Sequence, residues 1–336
     1  MSDRLTALCD LGFLEAFYMA EPAGKRAAEY TDADRTWQDV HRFLTHDADV
    51  VLDLPDDRAV LDDHPFLRDL FGFVGAGDLR LDSSAFQGVG TAAYHRDPAD
   101  VLRLYLLERD GLDPADATRR TRAFFADSES ILDDWPALAR PRLVPVGRSE
   151  VEGSIDDLSG VAGLWPPVGA VVVADRYLFA DEHGVLDNLV PFLLALLPTE
   201  PHEVRVDVLL LGKKDASGAW REDPSWIRSS IVEILEKHRP FLNLDLTVSL
   251  AVRWPPELHD RRVFLSYLYV QSGISINQYV RRGRANTPSR LTPSSLTDPA
   301  VLGTFRSELA EIKRVVEEGP AHTAGSKRNK LFGPAE

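Results

Sequence analysis

The chain has 336 residues, of which 44% are hydrophobic, and its formal net charge is −15. This length predicts about two domains, and the longest apolar stretches fall far short of the roughly 20 residues that a membrane-spanning helix needs, which excludes a membrane partner. The first residues lack the basic start and apolar run of a signal peptide, and the lone Cys9 cannot form a disulfide within the chain. We therefore expect a cytoplasmic protein.

Basic charge is concentrated at the C-terminal end. Residues 253–336 contain 13 lysines and arginines and 8 acidic residues, whereas the preceding residues contain 25 basic and 45 acidic residues. A basic region of this kind could attract a phosphate-bearing ligand. Equally, the two parts of the chain could attract one another or a second copy of the chain.

Residues 1–145 are predicted to form a smaller, mixed α/β N-terminal domain. Thr31 or Asp32 can cap its first predicted helix, and the order Asp113-Pro114 is favoured at a helix start. The predicted elements, in chain order, are a helix at Thr31–Leu44, strands at Val50–Leu54 and Val101–Leu107, a helix that starts at Asp113-Pro114, and a short strand at Phe124-Phe125.

Prolines and glycines cluster between Trp135 and Pro167 together with acidic residues. Clusters of proline and glycine are typical of loops or a linker. We place a linker at residues 146–164.

Residues 165–318 alternate between apolar strands and helices in the order β-α-β-α-β-β, which predicts one sheet covered by helices. We expect an exposed loop at Arg281–Pro299, a last helix at Phe305–Glu318 and a flexible tail at residues 319–336. The other predicted elements are Ala170–Ala174, Leu186–Leu197, Val204–Leu211, Pro224–His238, Leu244–Val252 and Val263–Val270.

Two groups of residues have the composition of a metal site. Carboxylates gathered at strand ends hold Mg²⁺ in metal-dependent nucleases, but in so acidic a chain a solvated loop also explains them. His41 and His46 are five positions apart, not the four that place two ligands on one helical face. We therefore expect no metal site and no cofactor. The carboxylates considered are Asp47, Asp49, Asp53, Asp56, Asp57, Asp127 and Glu129.

The segment between residues 259 and 277 carries a spaced pattern around a histidine. It resembles the HKD motif of the phospholipase D superfamily, which reads His, any residue, Lys, four residues, Asp, six residues, and a Gly-Ser-Asn cluster. The matching positions are His259, Arg261 in place of the lysine, Ser266 in place of the aspartate, Gly273, Ser275 and Asn277. Upstream, the tripeptide Asp175-Arg176-Tyr177, with Asn188, also resembles divergent members of this superfamily.

The resemblance implies a C-terminal phospholipase-D-like sheet and a chemistry of phosphate esters. In the family, one histidine attacks phosphorus and a second, from a paired module, protonates the leaving oxygen, while the lysines hold phosphate oxygens. Here an arginine fork replaces the ammonium group, Ser266 cannot act as a carboxylate, and no other histidine of the chain lies in a second such motif. A complete site would therefore require a homodimer that supplies two copies of His259.

These departures favour an accessory or recognition protein, in which a degenerate module binds nucleic acid, another phosphate-containing ligand or a protein partner without cleavage. By analogy alone, such modules suggest a role in prokaryotic antiviral defence. The alternative is a homodimeric, metal-independent phosphodiesterase or nuclease with His259 as the nucleophile. The expected phosphate-binding residues are Arg261, Ser275, Asn277, Arg281, Arg282 and Arg284.

Overall fold

The computed structural model describes residues 4–55, 67, 79–91, 94, 102–141, 167–178, 184–198, 201–254, 258, 261–272, 291–317, 322–325 and 330–332. The chain divides into two compact units, residues 1–140 with 295–303 and residues 141–294 with 304–336. Each unit contains one β-sheet together with helices, so the predicted mixed α/β fold class is confirmed. Within the described residues, no helix combines the length and apolar character that a membrane crossing requires.

The first unit is built on a parallel sheet. Its strands are β1 (Leu5–Cys9), β2 (Ala48–Leu52), β3 (Leu79–Leu81), β4 (Arg103–Leu106) and β5 (Phe124–Ala126). They lie in the order β3-β2-β1-β4-β5, and all neighbours are parallel. Because the chain moves outward from β1 to β3 and then returns as β4 on the other side of β1, the direction of winding reverses between β1 and β4. In sheets of this class, such a reversal creates a crevice at the carboxyl ends of the strands.

The helices of this unit follow its strands. Among the described residues, the α-helices with defined bounds are α1 (Leu11–Met19), α2 (Asp32–Arg42), α3 (Pro114–Thr121) and α4 (Ser130–Ala139), and a π-helical turn at Phe43–Asp47 follows α2. Thr31 caps α2, since its hydroxyl accepts the Asp34 N–H at 3.2 Å and the Asp34 carboxylate accepts the Thr31 N–H at 2.7 Å. Asp113 caps α3. The predicted starts of both helices are therefore confirmed, whereas β1, α1 and α4 were not predicted.

The second unit is built on a seven-stranded mixed sheet. Its strands are β6 (Ala170–Asp175), β7 (His202–Leu211), β8 (Leu242–Ala251), β9 (Arg261–Leu265), β10 (Leu268–Ser272), β11 (Leu291–Ser295) and β12 (His322–Ala324). They lie in the order β11-β10-β9-β6-β7-β8-β12. The three central strands β6, β7 and β8 are parallel, while β9 is antiparallel to β6 and β10 is antiparallel to β9. The prediction of one sheet is confirmed.

The main core of this unit lies on one face of the sheet. The described α-helices of the unit are α5 (Val190–Leu196), α6 (Pro224–His238) and α7 (Pro299–Glu317) from residue 304 onward, with a π-helical turn at Val185–Leu189 before α5. Side chains of α5 and α6 pack in one cluster with Val171, Val173, Val263 and Leu265. Because side chains alternate along a strand, Phe264 points to the opposite face. There its ring contacts Phe305 of α7, with 5.2 Å between the ring centroids.

Three predictions for this unit differ from the structure. The run Val263–Val270 forms not one strand but two, β9 and β10, because the chain reverses at Ser266-Tyr267. Part of the predicted loop forms β11, and α7 begins at Pro299, where the Asp298 carboxylate accepts the Ala300 N–H at 2.8 Å. The predicted flexible tail contains β12, which pairs antiparallel with β8 and so acquires the hydrogen bonds of a sheet.

Candidate functional site

An acidic and a basic residue lie side by side where β6 ends and β9 begins, on the face of the sheet that carries the hydrophobic core. In the register of the two strands, Val173 pairs with Val263 and Ala174 pairs with Arg262. The next residues, Asp175 and Arg261, share the face of the hydrophobic core because side chains alternate along each strand. Both side chains are buried, and the Arg261 Nε lies 3.9 Å from the Asp175 Oδ1. Burial of two opposite charges side by side lets each offset part of the other's desolvation.

Asp175 also fixes the turn that leaves β6. Its Oδ1 accepts the backbone N–H of Tyr177 at 2.8 Å and that of Leu178 at 2.9 Å. An aspartate that bonds to the backbone two residues later is a standard turn former. Leu178 is fully buried in the core, while Tyr177 is 40% exposed. The turn therefore holds the Tyr177 ring at the surface, between the buried residues Asp175 and Leu178.

Two guanidinium groups contact this ring. The Cζ of Arg261 lies 3.9 Å from the centroid of the Tyr177 ring, and the Cζ of Arg176 lies 4.5 Å from it. Both distances are within the range of a cation–π interaction. Arg261 is buried and Arg176 is partly exposed. We refer to Arg176, Tyr177 and Arg261 as the arginine–tyrosine cluster.

The second described position of the histidine motif, Ser266, serves the backbone. Its hydroxyl accepts the N–H of Gly169 at 3.0 Å and that of Ala170 at 3.3 Å. It thereby ties the β9–β10 turn to the start of β6, and it is fully buried. The structure thus uses Ser266 as an acceptor of hydrogen bonds within the fold.

Of the predicted site residues, Arg261 is the one that falls within the described residues. Its guanidinium lies in the arginine–tyrosine cluster. The remaining predicted positions, His259, Ser275, Asn277, Arg281, Arg282 and Arg284, lie outside the described residues and stay predictions.

The neighbouring Arg262 points to the opposite face of the sheet and binds α7. Its Nε donates to Glu308 Oε2 at 2.8 Å and its Nη2 donates to Oε1 at 3.2 Å, which is a bidentate pair. The Tyr269 hydroxyl donates to the same carboxylate. Burial, assisted by the Glu308 carboxylate, raises the pKa of Tyr269 above its ordinary value. The phenol therefore stays protonated and remains a donor, and Arg262 holds α7 on the sheet.

A second charged group lies at the carboxyl ends of β1, β2 and β4 in the first unit. Asp10 caps α1 by accepting the Phe13 N–H at 2.8 Å, and both its carboxylate oxygens accept the Glu108 N–H at 3.0 Å. Arg109 donates to Asp53 at 2.6 Å and lies 3.6 Å from Asp10. A residue with a Cβ at Gly12 would approach the Glu108 backbone oxygen to 3.2 Å, so glycine suits this close approach.

This group differs from the predicted alternatives for a metal site. Asp53 contacts Arg109, Asp127 caps the first turn of α4 through the Ser130 N–H, and Asp56 and Asp57 lie outside the described residues. In the described part of the chain, no three acidic, histidine or cysteine side chains converge on a metal position. The positive charge beside the carboxylates of Asp10 and Asp53 is that of Arg109.

Sequence reasoning missed Asp10, Glu108 and Arg109, and it singled out Tyr177 only as part of a resemblance, without a role. Asp10 directly follows the apolar run that forms β1, and this position was a usable signal.

We compared the chain with models of protein families and with curated proteins. No family model and no curated protein matches it.

Proposed function

We propose that the C-terminal unit is a phospholipase-D-like module that binds a phosphate-containing ligand, foremost nucleic acid, without cleaving it. The observation that carries this proposal is the position of Arg261. In the family that the sequence resembles, the residue at this position reaches phosphate oxygens. Here its side chain is only 9% exposed, and its guanidinium contacts the Tyr177 ring and approaches Asp175. A charge held in this way contributes to the fold and is poorly placed to follow a reacting phosphate.

Ser266 supports the same conclusion. A working module needs a carboxylate that orients a histidine by accepting a hydrogen bond from its ring N–H. A serine hydroxyl has no negative charge to stabilise an imidazolium, and the Ser266 hydroxyl accepts two backbone N–H groups instead. Arg261 and Ser266, the two described positions of the motif, therefore both make contacts that stabilise the fold.

Binding is supported by what remains at the surface. Arg176 is partly exposed beside the exposed Tyr177, and an arginine next to an aromatic ring is a common element of nucleic-acid interfaces. Residues 253–336 contain 13 basic and 8 acidic residues, and this local excess favours contact with an anionic polymer although the chain as a whole carries −15.

The proposal is tested with labelled DNA and RNA in EDTA, comparing the full chain with the variant His259→Ala. We expect both proteins to bind nucleic acid and neither to cleave it. Metal-independent cleavage by the wild type that is lost in His259→Ala would overturn the proposal and establish the homodimeric phosphodiesterase. Absence of both binding and cleavage would also overturn it and would favour a protein partner.

A further inference from the structure

We propose that the arginine–tyrosine cluster is a stacking platform for an unpaired base, so that the ligand of the C-terminal unit is single-stranded nucleic acid. This inference rests on the proposed function and narrows its ligand class. Its starting point is that Tyr177 is one of four large hydrophobic side chains that are exposed in the described part of the chain, with Met19, Trp226 and Phe241. Tyr177 also has guanidinium groups at 3.9 Å and 4.5 Å from its ring centroid.

The ring is held in place before any ligand arrives. Asp175 accepts the N–H groups of Tyr177 and Leu178, and the buried Leu178 anchors the chain directly after the ring. The buried Arg261 supports the ring from within the sheet. A side chain fixed in this way loses little conformational freedom when a ligand covers it. The Tyr177 ring is therefore both exposed and rigidly held.

The chemistry of the cluster suits a nucleotide better than a bare phosphate. An aromatic ring stacks on the face of any base, and a neighbouring arginine adds attraction to the π-system and to the backbone phosphate. Arg176 lies over the ring with its Cζ 4.5 Å from the centroid, is partly exposed and can supply that charge. Asp175, the acidic residue at this position, is fully buried and directs its Oδ1 to backbone N–H groups and to Arg261.

A tyrosine that stacks on the face of a base favours single strands over a duplex. In a double helix each base face is covered by its neighbours, so a tyrosine fixed at a protein surface can reach a base face only where the bases are unstacked. Single strands, loops and ends provide such faces. Because the contact is to a π-face, it discriminates weakly among the bases and admits both RNA and DNA.

The test compares three ligands with the same number of phosphates: a mixed-sequence single strand, a duplex of half its length, and an abasic strand that has the sugar–phosphate backbone alone. Binding of the full chain is measured by fluorescence anisotropy. We expect the single strand to bind about tenfold more tightly than the abasic strand, which corresponds to one stacked base. We expect Tyr177→Ala to remove this difference and Tyr177→Phe, which keeps the ring, to retain it. Phe241→Ala is the matched control, since it removes another exposed aromatic side chain of the same unit and should leave binding unchanged.

Two kinds of failure are distinguishable. Equal binding of the base-bearing and abasic strands, or an undiminished preference in Tyr177→Ala, would overturn base stacking and leave phosphate recognition standing. Absence of binding to all three ligands would overturn both the stacking platform and the proposed function. As a control for folding, the thermal unfolding midpoints of Tyr177→Ala and Phe241→Ala are compared. We expect both variants to be folded at the temperature of the binding measurement.

Discussion

The guanidinium of Arg261 lies under the ring of Tyr177, with 3.9 Å between its Cζ and the ring centroid. Arg261 stands at the start of β9 and Tyr177 stands just beyond the end of β6, and the antiparallel pairing of these strands brings the two residues together. The same arginine occupies the lysine position of the motif that resembles phospholipase D. This contact explains how a residue expected to bind phosphate can instead support an aromatic side chain at the surface.

The first prediction concerns the two arginines of the cluster. Arg261→Met keeps most of the side-chain volume but removes the charge beside buried Asp175, and we expect it to lower the free energy of unfolding by about 2 to 3 kcal/mol. Arg176→Met removes a partly exposed guanidinium from the same ring and should change stability by less than about 0.5 kcal/mol. Urea unfolding of the two variants measures both values. Equal effects would mean that Arg261 is not a support of the fold.

The second prediction concerns the pair that holds α7 on the sheet. Glu308→Gln removes the bidentate partner of Arg262 and a charged acceptor of the Tyr269 hydroxyl. Since both charged side chains are largely buried, we expect a loss of about 2 to 4 kcal/mol in the free energy of unfolding.

Glu311→Gln is the matched control for this change. Glu311 lies on the same helix and pairs with the exposed Arg314 at 2.5 Å. Surface ion pairs of this kind contribute about 0 to 1 kcal/mol. A loss in Glu308→Gln no larger than that in Glu311→Gln would contradict the role of Arg262 as the attachment of α7.

The third prediction concerns Ser266. Ser266→Ala leaves the backbone N–H groups of Gly169 and Ala170 without their acceptor in a fully buried position. We expect a destabilisation of about 1 to 3 kcal/mol, the usual cost of an unsatisfied buried donor. Ser217→Ala, at an exposed turn, should stay within about 0.5 kcal/mol of the wild type. If both variants unfold at the same urea concentration, Ser266 does not tie the β9–β10 turn to β6.

The fourth prediction is a pH dependence in the first unit. Hydrogen bonding to the Lys25 side chain, together with the Thr31 N–H, lowers the pKa of Asp34 from 3.8 to about 2. A carboxylate whose pKa is lower in the folded state stabilises the fold above its ordinary pKa, and this contribution is lost as the pH falls through the folded value. Asp34→Asn keeps an oxygen acceptor for the Thr31 N–H but removes the charge.

The stability of wild type and Asp34→Asn should therefore differ by a constant amount above about pH 5 and converge as the pH falls toward about 2. Urea unfolding at a series of pH values measures the difference. A difference that is independent of pH across this range would show that the charge of Asp34 does not support the start of α2.

Local sequence signals predicted some elements well. The helix Pro224–His238 has the predicted bounds because Asp223 and Pro224 mark its start and the basic Lys237 and His238 end it. The strand Val263–Val270 was predicted as one element because its apolar run continues through the Ser266-Tyr267 reversal, which lacks glycine, proline and asparagine. β1 and α1 were missed although Asp10, which lies between them and caps α1, marks the boundary of the two apolar runs.

The contacts that define the candidate site could not be predicted in this way. Tyr177 follows a predicted strand end, but its contact with Arg261 depends on the antiparallel placement of β9 beside β6. Ser266 bonds to a residue 97 positions away, and Asp10 bonds to a residue 98 positions away. Such pairs depend on strand order, which hydrophobic periodicity does not encode.

The most direct test of the central claim is the fate of a single strand held by the protein. A trace of end-labelled mixed-sequence strand is incubated with a large excess of the full chain in EDTA, so that even one slow turnover would convert it, and the bound strand is then recovered and sized. The account predicts that intact strand is recovered from the complex, and that wild type forms this complex about tenfold more tightly than Tyr177→Ala does. Shortened strand from the wild type, with intact strand from His259→Ala, would contradict it and identify a phosphodiesterase.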